Sequence, residues 1–354
     1  MKVLSLFDGI ACGLLALKKC GFVIDTYFAS EIEPNAIKVA LKNHSEIIEI
    51  GDVTKVNYKD GILYTATNSY NVGHIDLICG GSPCTNFSSI GYANGMMSGD
   101  VEIHSLEQYL ELKDTNVVFE GQSYLFWEYC RLINEINPDY FLLENVVMSK
   151  KWEDIITDAI GVKPIKINSS LMSAQNRPRL YWTNIENISI PKDENVILDD
   201  ILCNDADDKD VSYCLTVQRS FPKMIKKYGY IPKRFNAYNA SEIKDKACTL
   251  SRGSMITSSC ATLLFVENAF GIHIVKNGLI NGKYLTKLND GKYNIRKLNL
   301  VEIERLQNLP DGYTYFDGIG DQKRTEMIGN AWTVNIISHI FSHLKENKNG
   351  NQKN

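Results

Sequence analysis

Short apolar runs alternate with amphipathic stretches along the first 145 residues, and each run closes on glycine or a carboxylate. Residues 2–7 (KVLSLF) are nearly continuous apolar sequence and lead through Asp8, Gly9, Ile10, Ala11, Cys12 and Gly13 into a helical pattern at 14–19. That is the opening strand-turn-helix unit of a doubly wound sheet. Residues 26–32 predict a second strand ending in Glu31, and Pro34 opens a helix at its favoured first position with Ile37, Ala40 and Leu41 on one face. A third strand at 46–50 runs into Gly51, Asp52 and Val53, and a fourth at 76–80 runs into Gly81, Ser82, Pro83 and Cys84. A helix at 124–137 stops before Pro138, and a fifth strand at 140–143 ends in Glu144, Asn145 and Val146. Strands alternating with helices predict an α/β fold built on a doubly wound, Rossmann-like sheet. Residues 90–122 hold no sustained period and read as a lid or as an insertion without chemical consequence. Near the end, 298–309 and 322–344 show helical spacing and return to the first domain, and the polar tail at 346–354 reads as disordered.

Composition narrows the class. A chain of 354 residues with 44% hydrophobic content buries a sizeable core and suggests two domains. Its cysteines are odd in number, contain no Cys-x-x-Cys pair and follow no secretory leader, because residues 2–7 already read as core. This predicts a reducing, intracellular compartment. No apolar run approaches the ~20 residues of a membrane span. The net charge of −4 conceals segregation: 216–252 carries +7, 275–297 carries +5, and the remainder carries −16. A basic stripe interleaved with Phe221, Tyr228, Tyr230, Phe235 and Tyr238 is the footprint of a nucleic-acid partner, although a solvated lysine face has similar composition.

Chemistry concentrates where the strands end. Cys84, on an abrupt turn at the mouth of a strand, is a candidate nucleophile, while a cysteine is equally a core filler by residue type. Glu31 stands roughly twenty residues after the glycine turn, where an acid grips ribose hydroxyls, and Asp52 is placed to accept from an adenine amino group. The turn FDGIACG departs from GxGxxG, which counts against a dinucleotide-dependent oxidoreductase. His339 and His343 lie four apart on a helix but lack the Glu of HExxH and a third ligand, so they read as structural and no metal is expected.

Six motifs in register resemble the DNA cytosine-C5 methyltransferases: FDGIACG, ASEIEPN with GDV, GGSPC, ENV, QNRPR (175–179), and the pair RKLNLVEIERLQNLPDGYT (296–314) and IGNAWTVNIISHIFSHL (328–344). The opening third is especially similar to the catalytic part of the vertebrate de novo enzymes, and 92–120 is longer than in those relatives. The compact build looks more like a bacterial or phage modification enzyme. The resemblance implies S-adenosylmethionine as methyl donor, Cys84 as the thiolate that adds to cytosine carbon 6, Glu144 as the group that protonates ring nitrogen 3, and Arg177 and Arg179 as guanidiniums holding the ring. It places Phe7, Asp8, Gly9 and Ile10 at the methionine end, Glu31 and Ile32 at the ribose, Asp52 and Val53 at the adenine, Ser82 and Pro83 beside the cofactor, and Asn330, Ala331 and Trp332 closing over the methionine.

A buried thiol cannot reach a stacked base, so the substrate is expected to be flipped from duplex DNA and held by a second body. The division expected is 1–194, completed by 296–345, for catalysis and cofactor, with 195–295 as a target-recognition domain. DNA contacts are expected from Arg219, Ser220, Lys223, Thr249, Ser251, Arg252 and Gly253, with phosphate contact commoner than base contact. The expected partner is double-stranded DNA, met by a monomer, with a cognate restriction endonuclease as a further candidate. A tRNA methyltransferase stays open, since one branch of the family uses these motifs on RNA and carries a Cys-Phe-Thr signature that Cys214, Leu215 and Thr216 only echo. So does a non-catalytic DNA-binding regulator.

Overall fold

A computed structural model describes residues 1–83, 96–98, 101–115, 117–119, 121–203, 220–236, 239–249, 262–268 and 271–351. By their contacts these fall into two units: Met1–Asn168 with Pro178–Pro191 and Val334–Asn354, and Ser169–Arg177 with Lys192–Thr333.

The first unit is a mixed seven-stranded sheet. In chain order its elements are β1 (Lys2–Leu6), α1 (Cys12–Lys19), β2 (Thr26–Ser30), α2 (Pro34–Asn43) and β3 (Ile48–Glu49), then the small sheet β4 (Asn57–Lys59), β5 (Ile62–Tyr64) and β6 (Ser69–Asn71). They continue with β7 (Leu77–Gly80), the short pair β8 (Met97–Ser98) and β9 (Val101–Glu102), α3 (Leu106–Asp114), α4 (Phe126–Ile136), β10 (Tyr140–Val146), α5 (Lys150–Ile160), β11 (Ile165–Asn168) and β12 (Pro178–Thr183). The large sheet runs β11-β12-β10-β7-β1-β2-β3, parallel from β10 to β3, with β12 and β11 antiparallel at one edge.

The chain leaves β1 toward β2 and β3, then returns to its other side at β7, so the sheet reverses direction between β1 and β7. In open α/β sheets ligands bind outside the carboxyl ends of the strands at such a reversal. The core that fixes this geometry packs Leu4, Leu6, Phe28 and Ile78 of the sheet against Phe126, Trp127 and Tyr129 of α4. Gly80 is required there: a Cβ at this position would stand 2.6 Å from the Leu6 carbonyl oxygen.

The stretch at 101–125 acquires structure through charge. Glu128 of α4 is fully buried, accepts from Tyr109 at 2.5 Å, and pairs with Lys113 of α3 and with Arg131, which also binds Glu135. Ser105 caps α3 by accepting from the Gln108 amide.

The second unit holds a seven-stranded sheet, antiparallel throughout, around Phe221, Phe235, Phe265, Val275 and Ile295. Its acids are tied inward. Glu302 is fully buried and binds Arg296 through two nitrogens at 2.7 and 2.8 Å, and Glu304 accepts from Thr314 and Arg324. The helical pattern expected at 322–344 is two helices, Asp321–Asn330 and Val334–Asn351, broken at Ala331, Trp332 and Thr333. Of the segment 296–345, residues 296–333 make their contacts within the second unit. The last helix packs on α1 and extends into the polar tail. Among the described residues no helix is long and apolar enough to cross a membrane.

Candidate active site

The turn after β1 is wound tightly. Phe7, Gly9 and Ala11 take φ of 58°, 62° and 62°. Only glycine adopts that region freely, and a bulky side chain there is an outlier of the kind that concentrates at functional sites. The turn is held by Glu31, whose carboxylate accepts from the amides of Gly9, Ile32 and Glu33 at 2.8 to 2.9 Å. Asp8 folds inward, taking the hydroxyls of Ser5 and Tyr27 on one oxygen at 2.5 and 2.7 Å, while its other oxygen is buried without a partner. Burial above all pushes Asp8 up to about 6, against the two hydroxyls. Asp52 caps the short turn Val53–Lys55 by accepting from the Thr54 amide. Ile10 and Val53 are buried, whereas Ile32 is 63% exposed at the end of β2.

The orphaned carboxyl oxygen of Asp8, a strained glycine turn and an apolar residue standing open beside an acid are what a ligand with hydroxyls, a cationic centre and a flat ring would satisfy. The residues of this unit therefore fit S-adenosylmethionine.

The second half of the site spans β7, β10 and β12. Gly80 pairs with Leu143, so Ser82 and Glu144 follow at the same end of neighbouring strands. Asn145, 2% exposed, ties them together: its amide donates to the Ser82 carbonyl at 3.2 Å and to the Ser82 hydroxyl at 3.0 Å. Glu144 pairs with Arg179 across β12, Oε1 to Nε 2.9 Å, with side chains 12% and 11% exposed. Pro83 is half-buried at the end of the turn, and Cys84 lies outside the described residues.

Asn145 is a residue the motif reading passed over, although a buried amide in a strand needs partners. Glu49 is a second. It points neither oxygen at a protein donor, and burial, then Asp8 and Glu31, push it up to about 8. A lone acid inside an apolar strand pattern was the available signal.

Other expected residues sit in the second unit. Arg177 is 3% exposed and donates to the carbonyls of Gly329 and Ala331 at 3.1 and 3.0 Å, so its guanidinium binds the segment that carries Asn330 and Trp332. The structure joins Arg179 to Glu144. Asn330 is exposed and Trp332 half-buried. Ser220 precedes helix Phe221–Tyr228, Lys223 is exposed on it, and the Thr249 hydroxyl donates to the Asn176 carbonyl. Arg219, Ser251, Arg252 and Gly253 lie outside the described residues.

His339 and His343 each reach a backbone carbonyl, Ser189 and His339 respectively, as a structural pair does. Among the described residues the one group with metal-ligand atoms within 4.8 Å is His74, Asp76 and Asp139, at the opposite end of β7 and β10. There His74 already pairs with Asp139, and Asp76 accepts from the Lys2 amide.

Comparison with known proteins agrees with this architecture. The chain is 29% identical over 210 residues to an orphan methyltransferase, M.Rho11sI, of Bacillus phage rho11s, covering 56% of the chain but only 35% of that protein. It is 23% identical over 376 residues to the type II methyltransferase M.FnuDI of Fusobacterium nucleatum, covering all of the chain and 96% of that enzyme. Among solved structures, the Entamoeba histolytica methyltransferase EhMeth superposes with a TM-score of 0.65 at 14% identity over 98% of both chains. The S. pombe Dnmt2 methyltransferase superposes with 0.60 at 15% over 99% of both. At those identities the structures speak for the fold. Residues 1–154 and 168–346 match the model of the C-5 cytosine-specific DNA methylases, and the chain belongs to that family.

Proposed function

We propose that the protein transfers a methyl group from S-adenosylmethionine to carbon 5 of a cytosine within a specific duplex DNA sequence. The observation that carries this reading is the pair of Glu144 and Arg179, one strand from the Ser-Pro-Cys turn and linked to it through Asn145.

Carbon 5 of cytosine is too weak a nucleophile to attack an alkyl sulfonium unaided. In this reading the Cys84 thiolate bonds to carbon 6 while Glu144 shares a proton with ring nitrogen 3, and the ring becomes an enamine. Arg179 fixes the plane of that carboxyl group by a charge-assisted bond. The cofactor supplies the electrophilic methyl group. The carbon 5 proton then leaves to water, and the sulfur is expelled as thiolate.

Phe7 to Ile10, Glu31, Ile32, Asp52, Val53, Ser82 and Pro83, with Asn330 to Trp332 of the last motif, are assigned to the cofactor on this reading. Residues 195–295 are assigned to DNA. Seven of the nine arginines are described, and each binds a carboxylate or carbonyl of the protein. Arg219 and Arg252 are the arginines assigned to DNA on this reading.

The test is methyl transfer from labelled cofactor to duplex DNA and to tRNA in parallel, with a 5-fluorocytosine duplex as trap. Transfer to DNA, a covalent complex on the fluorinated duplex, and loss of both in Cys84→Ser are expected. Transfer to tRNA alone would replace the substrate, and absence of any adduct would leave a binding protein.

A further inference from the structure

Asp8, Glu31 and Glu49 bring three carboxyl groups to the ends of β1, β2 and β3, yet they are bonded very unequally. Glu31 accepts from three backbone amides. Asp8 is bonded on one oxygen only, and Glu49 on neither. Register explains why they meet: Ala29 pairs with Ser5 on one side and with Glu49 on the other, so Glu49 shares the sheet face of Ser5 and of Tyr27, whose hydroxyls hold Asp8. Cys79, paired with Ser5, completes that face and is pushed up to about 12 by burial and by Asp8, so it supplies no charge.

A buried carboxylate with no donor and two acids for neighbours is costly, and it escapes the cost by keeping its proton. Burial first, then Asp8 and Glu31, accordingly place Glu49 at about 8. What would release that proton is a positive charge arriving at the end of β1, beside Asp8, where the methionine end of the cofactor is assigned. Nothing in the amide-bonded Glu31 or the hydroxyl-bonded Asp8 requires Glu49 for folding, and an uncharged side chain of the same shape would sit there at lower cost.

We propose that Glu49 is a proton-linked positioning residue of the cofactor site: neutral while the pocket is free, it ionises when a sulfonium nucleoside binds and passes its proton to solvent. The proposal rests on the cofactor reading above. Its consequence is discrimination between substrate and product. S-adenosylmethionine carries the sulfonium charge, whereas S-adenosylhomocysteine is a neutral thioether, so loss of the methyl group returns the proton to Glu49 and loosens the product.

Titration calorimetry of the full chain with each nucleoside, at pH 7 in phosphate and in Tris, reads the protons exchanged. Wild type should release about one proton with S-adenosylmethionine and far less with S-adenosylhomocysteine, and its preference for the former should rise about fiftyfold between pH 6 and pH 8. Glu49→Gln should bind both while losing the difference in proton release, and its preference should become flat with pH. Equal release for the two nucleosides, or release unchanged in Glu49→Gln and therefore due to Asp8, overturns the proposal while leaving the cofactor reading intact. Failure of wild type to bind either nucleoside overturns both. The pH dependence of the wild-type preference decides the matter without the variant.

Discussion

Arg179 meets Glu144 through Nε, the guanidinium nitrogen joined to the side-chain stem and held in the rigid plane of the group. Lysine would restore the charge and lose the plane. Arg179→Lys is therefore expected to lower kcat by about 10²-fold, within the range general acid catalysis supplies, while leaving cofactor affinity within a factor of two or so. Single-turnover methyl transfer beside calorimetric cofactor binding separates the two. Asn145→Ala removes both donors to Ser82 and is expected to cost about 1–2 kcal/mol in denaturant unfolding, with slower adduct formation on fluorinated DNA. Glu144 and Arg179 were legible in the sequence because each stands in a motif whose chemistry demands its residue type. Asn145 and Glu49 were not, because their importance comes from register: what they face depends on which strand lies alongside. Arg177 shows the limit from the other side. Two residues from Arg179 in sequence, it lies just before β12 begins and turns to the carbonyls at Gly329 and Ala331.

Strand β7 is where element packing bears directly on the site, because it leads into Ser82 and Pro83 and is paired on both sides. Two glycines test two different constraints. At Gly80 an added methyl group meets the Leu6 backbone at 2.6 Å, so Gly80→Ala must shift β1 or β7 and should cost several times what Gly9→Ala costs. At Gly9 nothing lies within 4 Å, so the penalty is conformational, about 1 kcal/mol for a left-handed φ of 62°. Denaturant midpoints of the two variants measure the difference, and equal values would count against the close packing of β1 on β7. The alternation of strand and helix was readable because parallel strands are continuous apolar runs. The small sheet β4 to β6 was not, since its strands are three residues long and largely polar outside Leu63. Nor was the anchoring of α3: its mean character is polar, and it is attached both by Tyr109 and its leucines in the core and by the buried acid Glu128. Glu128→Ala would leave Arg131 and Lys113 short of their shared partner and is expected to cost about 3 kcal/mol, read as early proteolysis within 101–125.

Among the described residues, each unit has an ionisable side chain without a hydrogen-bond partner whose titration is shifted by burial, and the two respond to pH in opposite directions. Glu49, in the first, has a folded value near 8 against an ordinary 4.5. The folded state therefore holds the proton more tightly, so the stabilisation is complete below 4.5 and is lost as pH rises toward and through 8. His273, in the second, is fully buried with neither ring nitrogen bonded, among Phe221 and Phe265 at ring separations of 6.3 and 5.6 Å. Burial lowers it from the usual 6.5, so the unfolded chain takes the proton first and stability is lost as pH falls below 6.5. Scanning calorimetry across pH 5 to 9 should then resolve two transitions whose separation changes with pH, because each unit has its own apolar core. Glu49→Gln should raise the transition of the first unit at pH 8 more than at pH 5. His273→Phe should raise that of the second at pH 5 more than at pH 8, and neither should move the other's transition. A variant that shifted both transitions alike would mean that the chain unfolds as one body, so that the protonation of either core governs the whole.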